Sequence, residues 1–135
     1  MAAFDAQALA SLRQGLAHFR AHDYFAAHDA WEEVWQDLSG RRRLFWQAMI
    51  QLVVGGYHFT NGNLRGCQGQ WHKALAKCDS LLQQCAAPSP EPVVQLWDIL
   101  HTGLTLVERG ESPLPHLERC AADVISDTWF AVDFA

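Results

Sequence analysis

No Cys-x-x-Cys pair and no His-Glu-x-x-His occurs in this chain. The first absence weakens a zinc-ribbon or dithiol reading, and the second removes the helical zinc-protease signature. No apolar run is long enough to cross a bilayer: the longest, LFWQAMIQLVVGGY, is interrupted by Gln47 and Gln51. Basic residues are in deficit, with 10 Lys and Arg against 15 Asp and Glu and a net charge of -5. That balance argues against nucleic acid or an anionic membrane surface as a partner. The opening MAAFDAQALA has no basic region followed by an apolar core, so no signal peptide is expected and a cytoplasmic location is. Strand-like alternation is missing apart from the last residues, and no internal repeat stands out.

Apolar material is plentiful. Half of the 135 residues are hydrophobic and six are tryptophan, enough for a core without disulfides or metal. The spacing of apolar residues is helical throughout. It predicts helices over about 5–21, 23–38, 42–60, 64–86 and 92–109, with SG at 39–40, NGN at 61–63 and APSPEP at 87–92 as breaks. The third of these is apolar nearly all round, which marks a central, buried helix. The fold class expected is therefore all-α: a compact bundle of about five helices in one domain spanning 1–135. Cys67, Cys78 and Cys85 fall on one face of the fourth helix with Trp71, Ala74 and Leu81, as small buried hydrophobes. Pro113 and Pro115 leave room for one more helical turn before the apolar tail. In that tail Trp129, Phe130, Val132 and Phe134 either dock on the chain's own core or form a self-association surface, as in a homodimer.

The chemistry concentrates in YFAAHDAWEEVW, residues 24–35. With His28 at 0° on a helical wheel, Trp35 lies at about -20°, Tyr24 at -40°, Trp31 at -60° and Glu32 at +40°. Glu33 and Asp37 fall near 140° and 180° and are expected to face water. Glu32 is thus expected to point inward, paired with His28 four residues away. If the pair is buried, Glu32→Ala should cost roughly 2 to 4 kcal/mol and Glu33→Ala well under 1. The same two side chains could serve as an acid–base pair, which makes His28 and Glu32 the catalytic candidates, or supply two ligands to a metal ion. On the third helix Gln47, Gln51, His58 and Asn61 share a narrow polar stripe that could meet them. With Trp35, these residues are the ligand-binding candidates. Adjacent Gly55 and Gly56 point to close helix packing. Arg41, Arg42 and Arg43 read as a solvated charge run, and the remaining histidines receive no role.

Residues 19–82 resemble the bacterial and archaeal family known as domain of unknown function 309. His28, Glu32 and Trp35 fit its His-x-x-x-Glu-x-x-Trp motif. Gln47, Ile50 and Gln51 fit a Gln-Gly-hydrophobic-Ile-Gln helix, Tyr57 and His58 its aromatic or histidine positions, and Gly62, Asn63 and Gly66 its turn. Ala48 and Cys67 stand where the family usually has glycine and alanine, both packing positions. The resemblance implies a compact helical fold over about 19–86 and the same His/Glu pair, but no activity and no cofactor; the helix and tail at 92–135 lie outside it. Three readings follow: a structural or interaction module with a polar network and a protein partner, a pocket for a small molecule, and a metal-dependent or Glu/His acid–base hydrolase. The hydrolase reading lacks a third carboxylate on these faces and a serine or cysteine beside the pair.

Overall fold

The computed structural model describes residues 4–132 and 134. Among them are six α-helices: α1 (Ala6–Arg20), α2 (Tyr24–Trp35), α3 (Gly40–Thr60), α4 (Leu64–Gln84), α5 (Glu91–Glu108) and α6 (Leu114–Asp123). One turn of 3-10 helix, Asp127–Ala131, follows, and no strand occurs among the described residues. The all-helical expectation is met, but about five helices becomes six. The one further helical turn expected near Pro113 and Pro115 is the ten-residue helix α6, with the prolines at its start, where a missing N–H loses no helical hydrogen bond. Side chains cap three of the other helices: Asp5 accepts from Ala8 N–H, Asp23 from Ala26 N–H and Asn63 from Gly66 N–H.

Two hairpins form, α1 with α2 and α3 with α4; α2 also packs on α3 and α4 on α5, while α6 makes smaller contacts with α5 and returns against α1. Arg20 closes that contact by donating from Nε to Ala121 O and from Nη2 to Ile125 O. The two hairpins are built alike, a repeat the sequence pattern did not disclose. In each, a tryptophan indole N–H donates to a backbone carbonyl 19 residues upstream: Trp31 to Leu12 O at 3.0 Å, Trp71 to Leu52 O at 2.9 Å. In each, a glycine lies under that indole, Gly15 beneath Trp31 and Gly55 beneath Trp71, with no room for a Cβ. The connecting turns also match. Asp23 N–H reaches His18 O and Asn63 N–H reaches His58 O, both at 2.9 Å, through a residue of positive φ, His22 (64°) or Gly62 (73°). Gln7/Gln47, Ala8/Ala48, Leu12/Leu52, Gly15/Gly55, His18/His58, Phe19/Phe59 and Trp31/Trp71 are the identical pairs, each 40 positions apart. They are sparse enough to hide in a pattern search. Gly56 packs against Tyr24 and Leu117, so the double glycine does serve close packing.

The arginine run is not a solvated stretch. Arg41 donates to Phe134 O at 2.7 Å, and Arg42 lies 4.5 Å over the Phe4 ring. Arg43 stacks 3.9 Å over Trp35 and donates to the carbonyls of Trp35, Gln36 and Leu38. Cations at a helix start oppose its dipole, but here they reach back to close the carbonyl end of α2 and to hold the tail. One apolar cluster draws on every helix and on the tail. Trp129, Phe130, Val132 and Phe134 are all buried, with Trp129 and Phe134 against Phe45 and Phe130 against Trp46. The tail therefore docks on its own core and is not a free association surface.

The four cysteines are free; Cys67, Cys78 and Cys120 are buried and Cys85 is half-buried. Burial pushes the Cys67 and Cys78 thiols up to about 12, and burial followed by the charge of Glu118 does the same for the Tyr24 hydroxyl. These acids ionise later when folded, so the stability they confer is complete below about pH 9 and is lost as pH rises towards 12. Melting temperature should fall above pH 9, and less steeply in a Cys67→Ala/Cys78→Ala variant; equal slopes would refute the assignment. Gly15→Ala and Gly55→Ala should each cost about 1 to 3 kcal/mol in a denaturant melt, because overpacking outweighs alanine's helix preference of about 1 kcal/mol. A gain in stability for either would mean that the indoles do not sit on these glycines.

Candidate functional site

The buried residues of α2 are Tyr24, Ala27, Ala30, Trp31 and Val34. Their mean direction lies about 95° from His28, on the side away from Glu32, so Glu32 stands about 135° from the middle of the buried face. The large aromatics suggested a stripe centred nearer His28. The real centre is set by Ala27 and Ala30 as well, small residues that let neighbouring helices approach. Glu32 is therefore not inward: its side chain is 41 % exposed and that of His28 is 23 % exposed. The pair itself does form, with His28 Nε2 and Glu32 Oε2 2.7 Å apart, an ion-pair distance. Asp29 Oδ1 lies 3.2 Å from His28 Nδ1, yet that nitrogen is buried without a hydrogen bond. The distance is that of an ion pair but the alignment is not that of a hydrogen bond, so we read the contact as electrostatic.

The polar stripe on α3 does not meet this pair. Gln51 is buried and accepts from Lys77 Nζ of α4 at 3.0 Å. Burial, then the charge of Lys73, holds the Lys77 ammonium below its usual range. Gln47 is half-buried, and among the described residues no hydrogen bond joins it to His28 or Glu32. Asn61 donates to Tyr57 O and helps end its own helix. Trp35 donates to Arg43 O beneath the Arg43 guanidinium, a corner between α2 and α3. His58 does come near, since it lines the same recess as His28.

That recess has a volume of about 170 Å³ and is walled by Phe25, His28, Val54, Tyr57 and His58. Phe25 and Tyr57 are 49 % and 37 % exposed. Their ring centroids are 5.2 Å apart, and Phe25 lies 5.5 Å from the His28 ring. Neither exposed ring was foreseen as part of a site. The signal was there for Phe25, which falls at about +60° on the wheel, on the wet flank beside Glu32. Two larger hollows, of 360 and 390 Å³, are lined in part by Phe4 and by Val132 respectively, and neither is lined by His28 or Glu32.

His28 and Glu32 could give an ion two ligands, but Asp29 sits on the other ring nitrogen and cannot join Glu32 around one centre. Among the described residues no group of three such side chains is placed to hold a metal. A Cys–His contact elsewhere, Cys120 Sγ to His116 Nδ1 at 3.7 Å, has the wrong properties for a nucleophile. Cys120 is buried and its thiol is raised by desolvation, while His116 Nε2 donates to Ile99 O. His116, given no role from sequence, ties α6 to α5.

Both residues of the pair and every wall of the recess fall inside one recognisable stretch. Residues 12–70 match the family model described as Domain of unknown function (DUF309). The match to this family runs from the middle of α1 into α4 and leaves α5, α6 and the tail outside. The chain is also 38 % identical over 55 residues to the Uncharacterized protein YpuF of Bacillus subtilis strain 168. That alignment covers 39 % of this chain and 32 % of the relative, so about a third of the relative's length is matched. No solved structure matches the chain with significance. No helix among the described residues is long and apolar enough to cross a membrane.

A half-exposed pair changes the energetic expectation. Glu32→Ala should cost about 1 kcal/mol or less, close to Glu33→Ala, because an exposed i, i+4 ion pair contributes little. Arg43→Ala should cost about 2 kcal/mol, since three carbonyls lose a charged donor. Urea melts of the three variants decide it. A loss above 2 kcal/mol for Glu32→Ala would restore the buried-network reading.

Proposed function

We propose that the chain is an interaction module that seats one side chain of a protein partner in the recess between α2 and α3. The supporting observation is the exposed Phe25–Tyr57 pair over that recess. Soluble proteins bury large rings where they can, and aromatic residues around a recess are the usual anchors of protein recognition. The recess volume favours this over a small-molecule pocket: about 170 Å³ is well below the roughly 300 to 1,000 Å³ of typical ligand sites. An acid–base hydrolase is disfavoured because His28 and Glu32 are turned towards each other on one helix and no nucleophile adjoins them.

Panning the folded protein against peptides displayed on phage tests the proposal. Enriched peptides should share one anchor position. They should lose binding to Phe25→Ala and Tyr57→Ala variants whose stability stays within about 0.5 kcal/mol of the parent. Peptides that bind both variants undiminished would overturn it.

A further inference from the structure

We infer that the side chain this recess accepts is an arginine; the inference rests on the docking reading above. The walls supply the first reason. Phe25 and Tyr57 line the recess and are both exposed, their rings tilted 52° to one another with centroids 5.2 Å apart. A planar guanidinium stacks on such faces, and its methylene stem can lie against an apolar wall such as Val54. Charge supplies the second. The two ring nitrogens of His28 face two carboxylates, Glu32 at 2.7 Å and Asp29 at 3.2 Å. Both carboxylates reach solvent, with side chains 41 % and 61 % exposed. Only Oε2 of Glu32 is taken by His28; among the described residues no hydrogen bond engages Oε1. Two carboxylates around one imidazole leave this flank net negative whether the ring is neutral or charged. An acidic flank beside aromatic faces and an apolar floor suits a long cationic side chain. Arginine fits better than lysine, because its planar fork can both stack on a ring and pair with a carboxylate.

The test follows resonances of Phe25, His28 and Tyr57 while N-acetylated, C-amidated tripeptides Ala-Xaa-Ala are added to the full chain. Xaa is arginine, citrulline, lysine, norleucine or glutamate. The arginine peptide should bind roughly tenfold more tightly than its neutral isostere citrulline. That preference should shrink in Glu32→Gln and Asp29→Asn and weaken with added salt. Norleucine binding as well as arginine, with no response to Glu32→Gln, would overturn the arginine assignment and leave the docking reading standing. Lysine binding equally would overturn the choice of guanidinium. Failure of every peptide to move the recess resonances at millimolar concentration would remove both readings.

Discussion

The two hairpins depend on one repeated contact, an indole N–H donated to a backbone carbonyl across a glycine. Trp31 and Trp71 are both fully buried, and a buried indole needs a partner for its single donor. A carbonyl in the middle of a helix already accepts from within the helix, but its oxygen has a second lone pair. Only a residue without a Cβ lets the ring come close enough to use it, which is why Gly15 and Gly55 face the two rings. Helix propensity is sacrificed at two positions, and in return two long helices are held at a fixed spacing and register. Trp71 also lies against Gly103 of α5, so the second lock joins the second hairpin to α5.

Around that frame, cations hold the joints. Arg43 closes the carbonyl end of α2, Arg41 holds the tail and Arg20 ties α6 to α1. Each guanidinium donates to backbone carbonyls, so these contacts use arginine as a multidentate donor more than as a partner for acids. This accounts for how an acidic chain with few cations can still depend on several of them for its shape.

Much of this was legible from residue patterns, and the failures have physical causes. Helix number two could be placed by its cap at Asp23 and the burial of Cys67 and Cys78 by their periodicity, because both are local properties; Cys85 is only half-buried because it caps the end of α4. The role of Arg41–Arg43 was hidden because their partners are carbonyls and rings whose proximity only tertiary folding creates. Glu32 was set inward because large aromatics drew the eye, whereas the small Ala27 and Ala30 help define the buried face. Gln51 was matched with the wrong helix: its polarity showed that a partner was needed, but not that α4 would bring Lys77 to it. The recess was invisible for the same reason, being formed by two helices that no single periodicity describes.

The duplicated hairpin bears on whether His28 and Glu32 are structural. The second hairpin keeps the tryptophan, the glycine and the turn, yet places Gln68 where the first has His28, His72 where it has Glu32, and Arg65 where it has Phe25. That hairpin folds with the same lock and the same turn geometry without the aromatic and without the histidine–carboxylate pair, since Arg65, Gln68 and His72 occupy those positions. The flank set is therefore not a requirement of the hairpin architecture. A half-exposed ion pair adds little stability, and an exposed phenylalanine is unfavourable on a free surface, so the first hairpin has no folding reason to carry both together. What distinguishes it from its twin is the surface proposed above for recognition, and the comparison between the two is consistent with that proposal for Phe25, His28 and Glu32.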